Sequence, residues 1–297
     1  MSVDEAVKAL EELGRGRPDL REAALVQRDI MLCQFQPPAP ASLWLPDADE
    51  VRARVASGIP LLPGHEAAFD LSHAESVFHA LLKLVEGRRE TKAQARAIQQ
   101  AARGAAGARG WLLTALAGDS GVLLAEAKDL QAPLLPSLLN WSIAPTLQAW
   151  VAAAEPQLDL DRWQMGHCPF CGEWPGLGEW RGVELNRRLR CGLCGGDWCT
   201  QRLRCPFCET TDTGLLGYFS AEGDARWRVE TCDNCGGYVK TETTFSALPT
   251  LLLPVENLRS LYLDVLAAAR GLQRPAVRSK AWQSGSPSLI LGEGNRG

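Results

Sequence analysis

Four Cys-x-x-Cys pairs, Cys168/Cys171, Cys191/Cys194, Cys205/Cys208 and Cys232/Cys235, fall within 68 residues of this chain. A two-residue gap lets both thiolates of one turn point at the same small cation. In sequence order the pairs read C-x2-C-x19-C-x2-C and then C-x2-C-x23-C-x2-C, the spacing of tetrathiolate metal sites. The two halves also echo each other: Cys168-Pro169-Phe170-Cys171 recurs as Cys205-Pro206-Phe207-Cys208, and Cys191 to Gly196 is matched by Cys232 to Gly237. The pattern predicts a duplicated one-metal ribbon.

A thiolate-bearing tight turn is stabilised by backbone N–H groups and favours a residue tolerant of positive φ after its second cysteine. Gly172, Gly195 and Gly236 meet that need, whereas the fourth turn carries Glu209 and is expected to be strained or differently shaped. Trp227, Val229 and Thr231 alternate with Arg226, Arg228 and Glu230 after a turn at residues 221–224, as a strand would; Val183, Leu185 and Leu189 give a weaker alternation in the first unit. Such ribbons have little core, so metal binding would supply much of their folding free energy, about 10 kcal/mol or more for a tetrathiolate zinc site.

Four thiolates suit zinc or a single rubredoxin-type iron, and spacing does not separate the two. Neither leaves an open coordination position for a hydrolytic water, so each site is either structural or a carrier of single electrons. Disulfides are disfavoured because the chain opens Met1-Ser2-Val3-Asp4-Glu5-Ala6, with no apolar signal core, which points to the reducing cytosol. A thioredoxin-like redox pair would use one motif between a strand and a helix, not four. His167, next to Cys168, is expected beside the site rather than in it; Cys199 reads as a strand thiol and Cys33 as a small buried hydrophobe.

The rest of the chain must position these turns. Of 297 residues 46% are hydrophobic, enough for one sizeable core beside a metal-stapled module, and the net charge of −4 gives no general attraction to nucleic acid. The cysteine-poor first part reads as helical: Val77, Phe78, Leu81, Leu82 and Val85 recur at helical spacing, with breaks at residues 36–40, 58–64 and 104–110. His65, His73 and His79 read as ordinary histidines there. No residue from Leu130 to Ala154 is charged, but Pro133, Pro136 and Pro145 favour a buried, interrupted helix pair carrying Trp141 and Trp150 over a membrane span. After the ribbons, residues 255–272 form an amphipathic segment with Leu258, Leu261, Tyr262, Val265 and Leu266 on one side, expected to pack inward. No phosphate loop, dinucleotide fingerprint or nucleophile elbow occurs.

Arg181, Arg187, Arg188, Arg190, Arg202 and Arg204, interleaved with Trp174, Trp180 and Trp198, form a basic edge. Such an edge suits single-stranded nucleic acid, a protein-docking surface, or a solvated strand face balanced by Glu173, Glu179, Glu184 and Asp197. The balanced face is the simplest.

Four segments, the turn Cys168 to Gly172, Cys191 to Cys194 with Trp198, Arg204 to Cys208, and Glu230 to Lys240 ending in Tyr238-Val239-Lys240, together resemble the formate dehydrogenase accessory protein FdhE family. The likeness reaches Leu263-Asp264 and the phrase Gly58-Ile59-Pro60-Leu61-Leu62; it departs at Glu256-Asn257 and after Arg274. The resemblance implies a cytoplasmic, non-catalytic maturation factor that binds the catalytic subunit of a formate dehydrogenase and holds two metal ions, iron or zinc. It carries over Cys168, Cys171, Cys191, Cys194, Cys205, Cys208, Cys232 and Cys235 as ligands. The expected class is α+β multidomain: a helical domain (1–165), two rubredoxin-like or zinc-ribbon modules (166–203 and 204–246), and a C-terminal helix with a loose tail (247–297). No nucleic acid and no membrane span are expected. The alternatives are a nucleic-acid-binding zinc-ribbon protein and an iron-dependent redox or oxygen-sensing factor.

Overall fold

The computed structural model describes residues 1–35, 43–104, 107–160 and 162–275. In chain order these form α1 (Val3–Gly16), α2 (Arg21–Phe35), α3 (Ala48–Ala56), α4 (Ser72–Glu86), α5 (Lys92–Ala101), α6 (Gly107–Ala117), α7 (Ser120–Asp129) and α8 (Leu135–Ala154). Strands β1 (Pro175–Arg181), β2 (Asn186–Cys191), β3 (Asp197–Cys199), β4 (Leu216–Phe219), β5 (Trp227–Cys232) and β6 (Gly237–Thr244) follow, then α9 (Leu253–Arg259) and α10 (Leu261–Ala269). The fold is α+β, with helices first, a cysteine-rich sheet next and helices last. Two compact units divide the chain: Met1–Leu45 with Leu62–Pro156, and Pro46–Leu61 with the chain from Gln157 onward.

The first unit is all helical. The polar start of the chain is the capping box of α1: Glu5 N–H donates to Ser2 Oγ, and Ser2 N–H donates to Glu5 Oε2 at 2.6 Å. The periodic residues of α4, Val77, Phe78, Leu81, Leu82 and Val85, are all buried. The uncharged stretch is one 20-residue helix, α8, and not the expected interrupted pair. It runs through Pro145, whose missing N–H frees the carbonyl of Trp141, and the buried Gln34 side chain on α2 donates to that oxygen at 2.8 Å. Among the described residues no helix is long and apolar enough to cross a membrane. The expected break at residues 104–110 is shorter than read, because α6 already begins at Gly107; the break at residues 36–40 lies outside the described residues.

In the second unit the two ribbons are not separate sheets. Strand order is β3-β2-β1-β6-β5-β4. Within each ribbon the neighbours are antiparallel, and β1 and β6 join the ribbons as a parallel pair with Gly178 opposite Thr241. Close approach there needs Gly178, since a Cβ would lie 2.7 Å from Thr241 Oγ1. Trp227 and Val229 point into a core with Leu177, Tyr238, Leu253, Leu263 and Ala267, so β5 alternates as expected. Val183 and Leu185 do not alternate: they lie exposed in the β1–β2 turn, where Leu185 takes φ 50°, and only Leu189 is buried.

The C-terminal segment also differs from the expected single helix. Ser260 stands between α9 and α10, and its hydroxyl donates to the Glu256 carbonyl. The break turns Leu263 and Ala267 inward and leaves Leu261, Val265 and Leu266 exposed. The face expected to pack inward is thus largely outward.

Candidate metal centres

Each cysteine pair sits in the same backbone turn. Cys168 N–H donates to Glu173 O and Gly172 N–H to Cys168 O; the same two bonds recur from Cys191 to Gly196 and Gly195 to Cys191, and from Cys205 to Thr210 and Glu209 to Cys205. In the fourth turn Gly236 N–H donates to Cys232 O. The residue after the second cysteine has positive φ in every case: Gly172 77°, Gly195 75°, Glu209 61° and Gly236 68°. The Glu209 turn is therefore strained, not differently shaped, and its carboxylate pairs with Arg204 at 2.9 Å.

These turns bring the eight cysteines into two groups, Cys168, Cys171, Cys191 and Cys194, and Cys205, Cys208, Cys232 and Cys235, with the Sγ atoms of each group within 4.8 Å of one another. Individual separations are 3.5 Å for Cys168–Cys194 and Cys171–Cys194, 3.6 Å for Cys171–Cys191 and Cys208–Cys232, and 3.7 Å for Cys205–Cys235. A metal–sulfur bond of about 2.3 Å in a regular tetrahedron sets an edge of about 3.8 Å, so the donor set fits a four-coordinate ion. The separations are far longer than a disulfide bond, and all the cysteines are free.

Electrostatics favour a cation at both places. Burial, then the neighbouring thiols, push Cys168 and Cys194 well above the ordinary thiol range. Burial and Cys205 push Cys232 up to about 12, and the hydrogen bond to Cys235 together with burial raises Cys205. These four raised thiols, two in each group, resist ionisation on their own; a divalent ion reverses this and takes its ligands as thiolates. The two groups differ in exposure: all four cysteines of the first are buried, while Cys208 and Cys235 of the second are only half-buried.

Residues beyond the cysteines shape both centres, and the repeat shows them twice. A Cβ on Gly196 would lie 2.7 Å from the Phe170 ring and 3.1 Å from Cys168 Sγ; one on Gly237 would lie 2.6 Å from the Phe207 ring and 3.1 Å from Cys235 Sγ. Each Pro-Phe turn thus packs its ring against the second glycine of a Cys-Gly-Gly, which spacing alone does not reveal. His167 lies outside both groups. It is buried, its Nε2 is 3.3 Å from Gly58 O, and desolvation lowers its pKa to about 4. Leu61 N–H donates to Pro169 O at 2.9 Å, so residues 58–61, read as part of the helical region, lie against the first cysteine turn. Cys199 is exposed on β3 and Cys33 is half-buried on α2.

The basic edge is largely neutralised within the sheet. Buried Arg190 pairs with Glu179 at 2.7 Å and buried Arg187 with Glu230 at 2.8 Å, while Arg181 and Arg188 share Asp197. Trp174 and Trp198 are buried. The expected balance by acidic residues holds at Glu179 and Asp197, but the face is not solvated there: Arg187, Arg190 and Glu179 are buried, and Arg187 takes Glu230 as its partner.

Two of the segments that carry the family resemblance, Tyr238 to Lys240 and Leu263-Asp264, meet in space. Lys240, fully buried, donates to Asp264 at 2.6 Å and to Asn257 O at 2.9 Å, and Tyr238 Oη donates to the same carboxylate at 2.8 Å. No family model matches the chain. Protein FdhE of Escherichia coli O127:H6 is 32% identical over 137 residues, 44% of this chain and 40% of that protein. Protein FdhE of Escherichia coli O1:K1 / APEC is 31% identical over the same extent. The match thus spans about 40% of the length of the curated relatives. The crystal structure of the FdhE protein from Pseudomonas aeruginosa is similar over 99% of this chain and 98% of its own, at 25% identity and a TM-score of 0.62.

Proposed function

We propose that this chain, an FdhE-family protein by its likeness in sequence and in structure, is a non-catalytic accessory factor that binds the catalytic subunit of a formate dehydrogenase in the cytoplasm and promotes its maturation. Each group of four cysteines, Cys168, Cys171, Cys191 and Cys194, and Cys205, Cys208, Cys232 and Cys235, holds one ion, iron or zinc. The observation that carries this reading is the pair of closed, all-sulfur sites within a fold similar to FdhE from end to end. Four protein ligands fill a tetrahedron and leave no position for substrate or water. The ion therefore supplies rigidity, and if it is iron also one-electron capacity; the residues around it hold the turns and the sheet they build.

The test is anaerobic affinity capture from the native cytosol, with partner identification and metal analysis of the same eluate. The expected result is a formate dehydrogenase catalytic subunit with about two equivalents of metal, and loss of both the subunit and one equivalent in the Cys191→Ser/Cys194→Ser variant. Capture without that subunit, in cells that express it, rejects the proposal. Wild-type maturation by a fully zinc-loaded protein would remove the redox alternative.

A further inference from the structure

The six-stranded sheet has two faces with different fates. One is covered: Leu177, Trp227 and Val229 pack beneath Leu253, Leu263 and Ala267 of the C-terminal helices. The other carries an open groove of about 230 Å³ across the β1–β6 junction, between the sheet and residues 202–207. Directly cross-strand partners share a face, and Tyr218 on β4, Glu230 on β5 and Val239 on β6 form one such row.

Four guanidinium groups, of Arg187, Arg202, Arg204 and Arg228, line this groove against one carboxylate, Glu230. Arg204 also pairs with Glu209 at 2.9 Å, so the four guanidinium groups meet two carboxylates, a local excess of two positive charges (four minus two) on a chain whose net charge is −4. Arg187 is committed internally: it pairs with Glu230 and donates to Gln201 O and Arg204 O, which holds residues 201–204 over the sheet. Arg204 pairs with Glu209 and Arg228 with Glu230 at 3.0 Å, and each still has donors to spare, as does Arg202. Arg202 donates to the Glu184 carbonyl and lies over the Trp180 ring, and the Nε–H groups of Arg204 and Arg228 are buried with no partner among the described residues. Leu203 and Tyr218 stand at the groove 60% and 70% exposed. β4 is the outermost strand, and among the described residues no strand pairs with its free edge.

Apolar walls, unspent guanidinium donors and an open strand edge together fit one kind of ligand. We infer that this groove binds an extended acidic segment of a partner protein, with an apolar side chain between Leu203 and Tyr218 and a carboxylate toward Arg202, Arg204 and Arg228. An extended segment satisfies the backbone edge of β4, and alternate side chains reach the groove. Single-stranded nucleic acid fits less well. It needs bare ring faces, but the Arg228 guanidinium lies 4.5 Å from the Trp180 ring and 5.1 Å from that of Tyr218, and Glu230 would face the phosphates. The identity of the partner rests on the function proposed above; the chemistry of the groove does not.

The test uses the full-length, metal-loaded protein and a triple variant, Arg202→Glu/Leu203→Ser/Tyr218→Ser. The control is Val183→Ser/Phe245→Ser, two residues exposed outside the groove. The probes are the formate dehydrogenase catalytic subunit and an array of overlapping peptides from it. The expected result is that the triple variant, with unchanged circular dichroism and metal content, weakens binding about tenfold or more while the control does not, the scale of losing a charge contact and its apolar neighbour. Array signals should fall on acidic peptides with an apolar neighbour and fade on Asp→Asn or Glu→Gln exchange. If the triple variant binds subunit and peptides like wild type, the groove assignment is wrong and the accessory function stands. If wild type takes acidic array peptides but not the subunit, the groove stands and the client is wrong. No peptide binding, or a steeply salt-dependent affinity for oligonucleotides that the triple variant loses, overturns the inference.

Discussion

At the scale of single residues, the four cysteine turns allow a controlled comparison. All four place the residue after the second cysteine at positive φ, but their surroundings differ. At Gly236 an added Cβ meets nothing within 4 Å, so Gly236→Ala should cost only the left-handed backbone penalty of about 1–2 kcal/mol. At Gly195 the same atom would lie 2.3 Å from Thr250 Cγ2, so Gly195→Ala should cost clearly more. Glu209 already bears the penalty, so Glu209→Gly should be more stable than Glu209→Ala by about 1 kcal/mol, since both lose the pair with Arg204. Chemical denaturation of the metal-loaded variants checks the order; equal losses at Gly195 and Gly236 would refute it. This part of the site was legible because a Cys-x-x-Cys turn is local, and so was the special status of Glu209. The glycine–phenylalanine contacts at Gly196 and Gly237 were not, because they join turns about 26–30 residues apart, a loop closure that spacing does not specify.

At the scale of elements, two contacts between distant segments carry measurable weight. α8 passes through Pro145 with Trp141 O satisfied by Gln34, so Gln34→Leu should strand a buried carbonyl and cost about 1–3 kcal/mol. Denaturation should show that loss with the helical circular dichroism retained at low denaturant. The second contact joins β6 to the C-terminal helices through Lys240. Desolvation, opposed by Asp264, lowers its pKa from 10.5 to about 8. Between those two values the folded protein binds fewer protons at this site than the unfolded chain does, so the contribution of Lys240 to stability rises with pH in that window and is flat below it. The stability difference between wild type and Lys240→Met should therefore move in favour of wild type as pH rises from 8 toward 10.5; a constant difference would show that the amine titrates normally. Sequence patterning found β5, whose neighbours lie one turn away, and the buried face of α4. It misplaced Val183 and Leu185, where a hairpin turn interrupts the alternation, and the outward face of α10, because Ser260 resets the helical phase.

At the scale of the molecule, the duplication legible in the sequence gives two cysteine centres, but not two separate ribbons. The parallel β1–β6 pairing that fuses them joins segments about 60 residues apart, and no local signal marks a strand pair of that separation. The fusion places unequal centres in one sheet. Access to a thiolate governs how fast a competing ligand or proton removes its metal, and the second centre leaves Cys208 and Cys235 half-buried while the first buries all four donors. A chelator should therefore strip the second centre first, with Cys208 and Cys235 alkylated before any cysteine of the first group, as peptide mapping over time would show. The first unit contributes no cysteine to either centre and has its own apolar core on α4 and α8. Complete chelation should thus remove the sheet and its buried tryptophan signal at far lower denaturant than the bulk of the helical circular dichroism, giving two transitions where the loaded protein gives later loss of the sheet. Simultaneous loss of both signals on chelation would mean that the metal centres support the helical unit as well as the sheet that holds them.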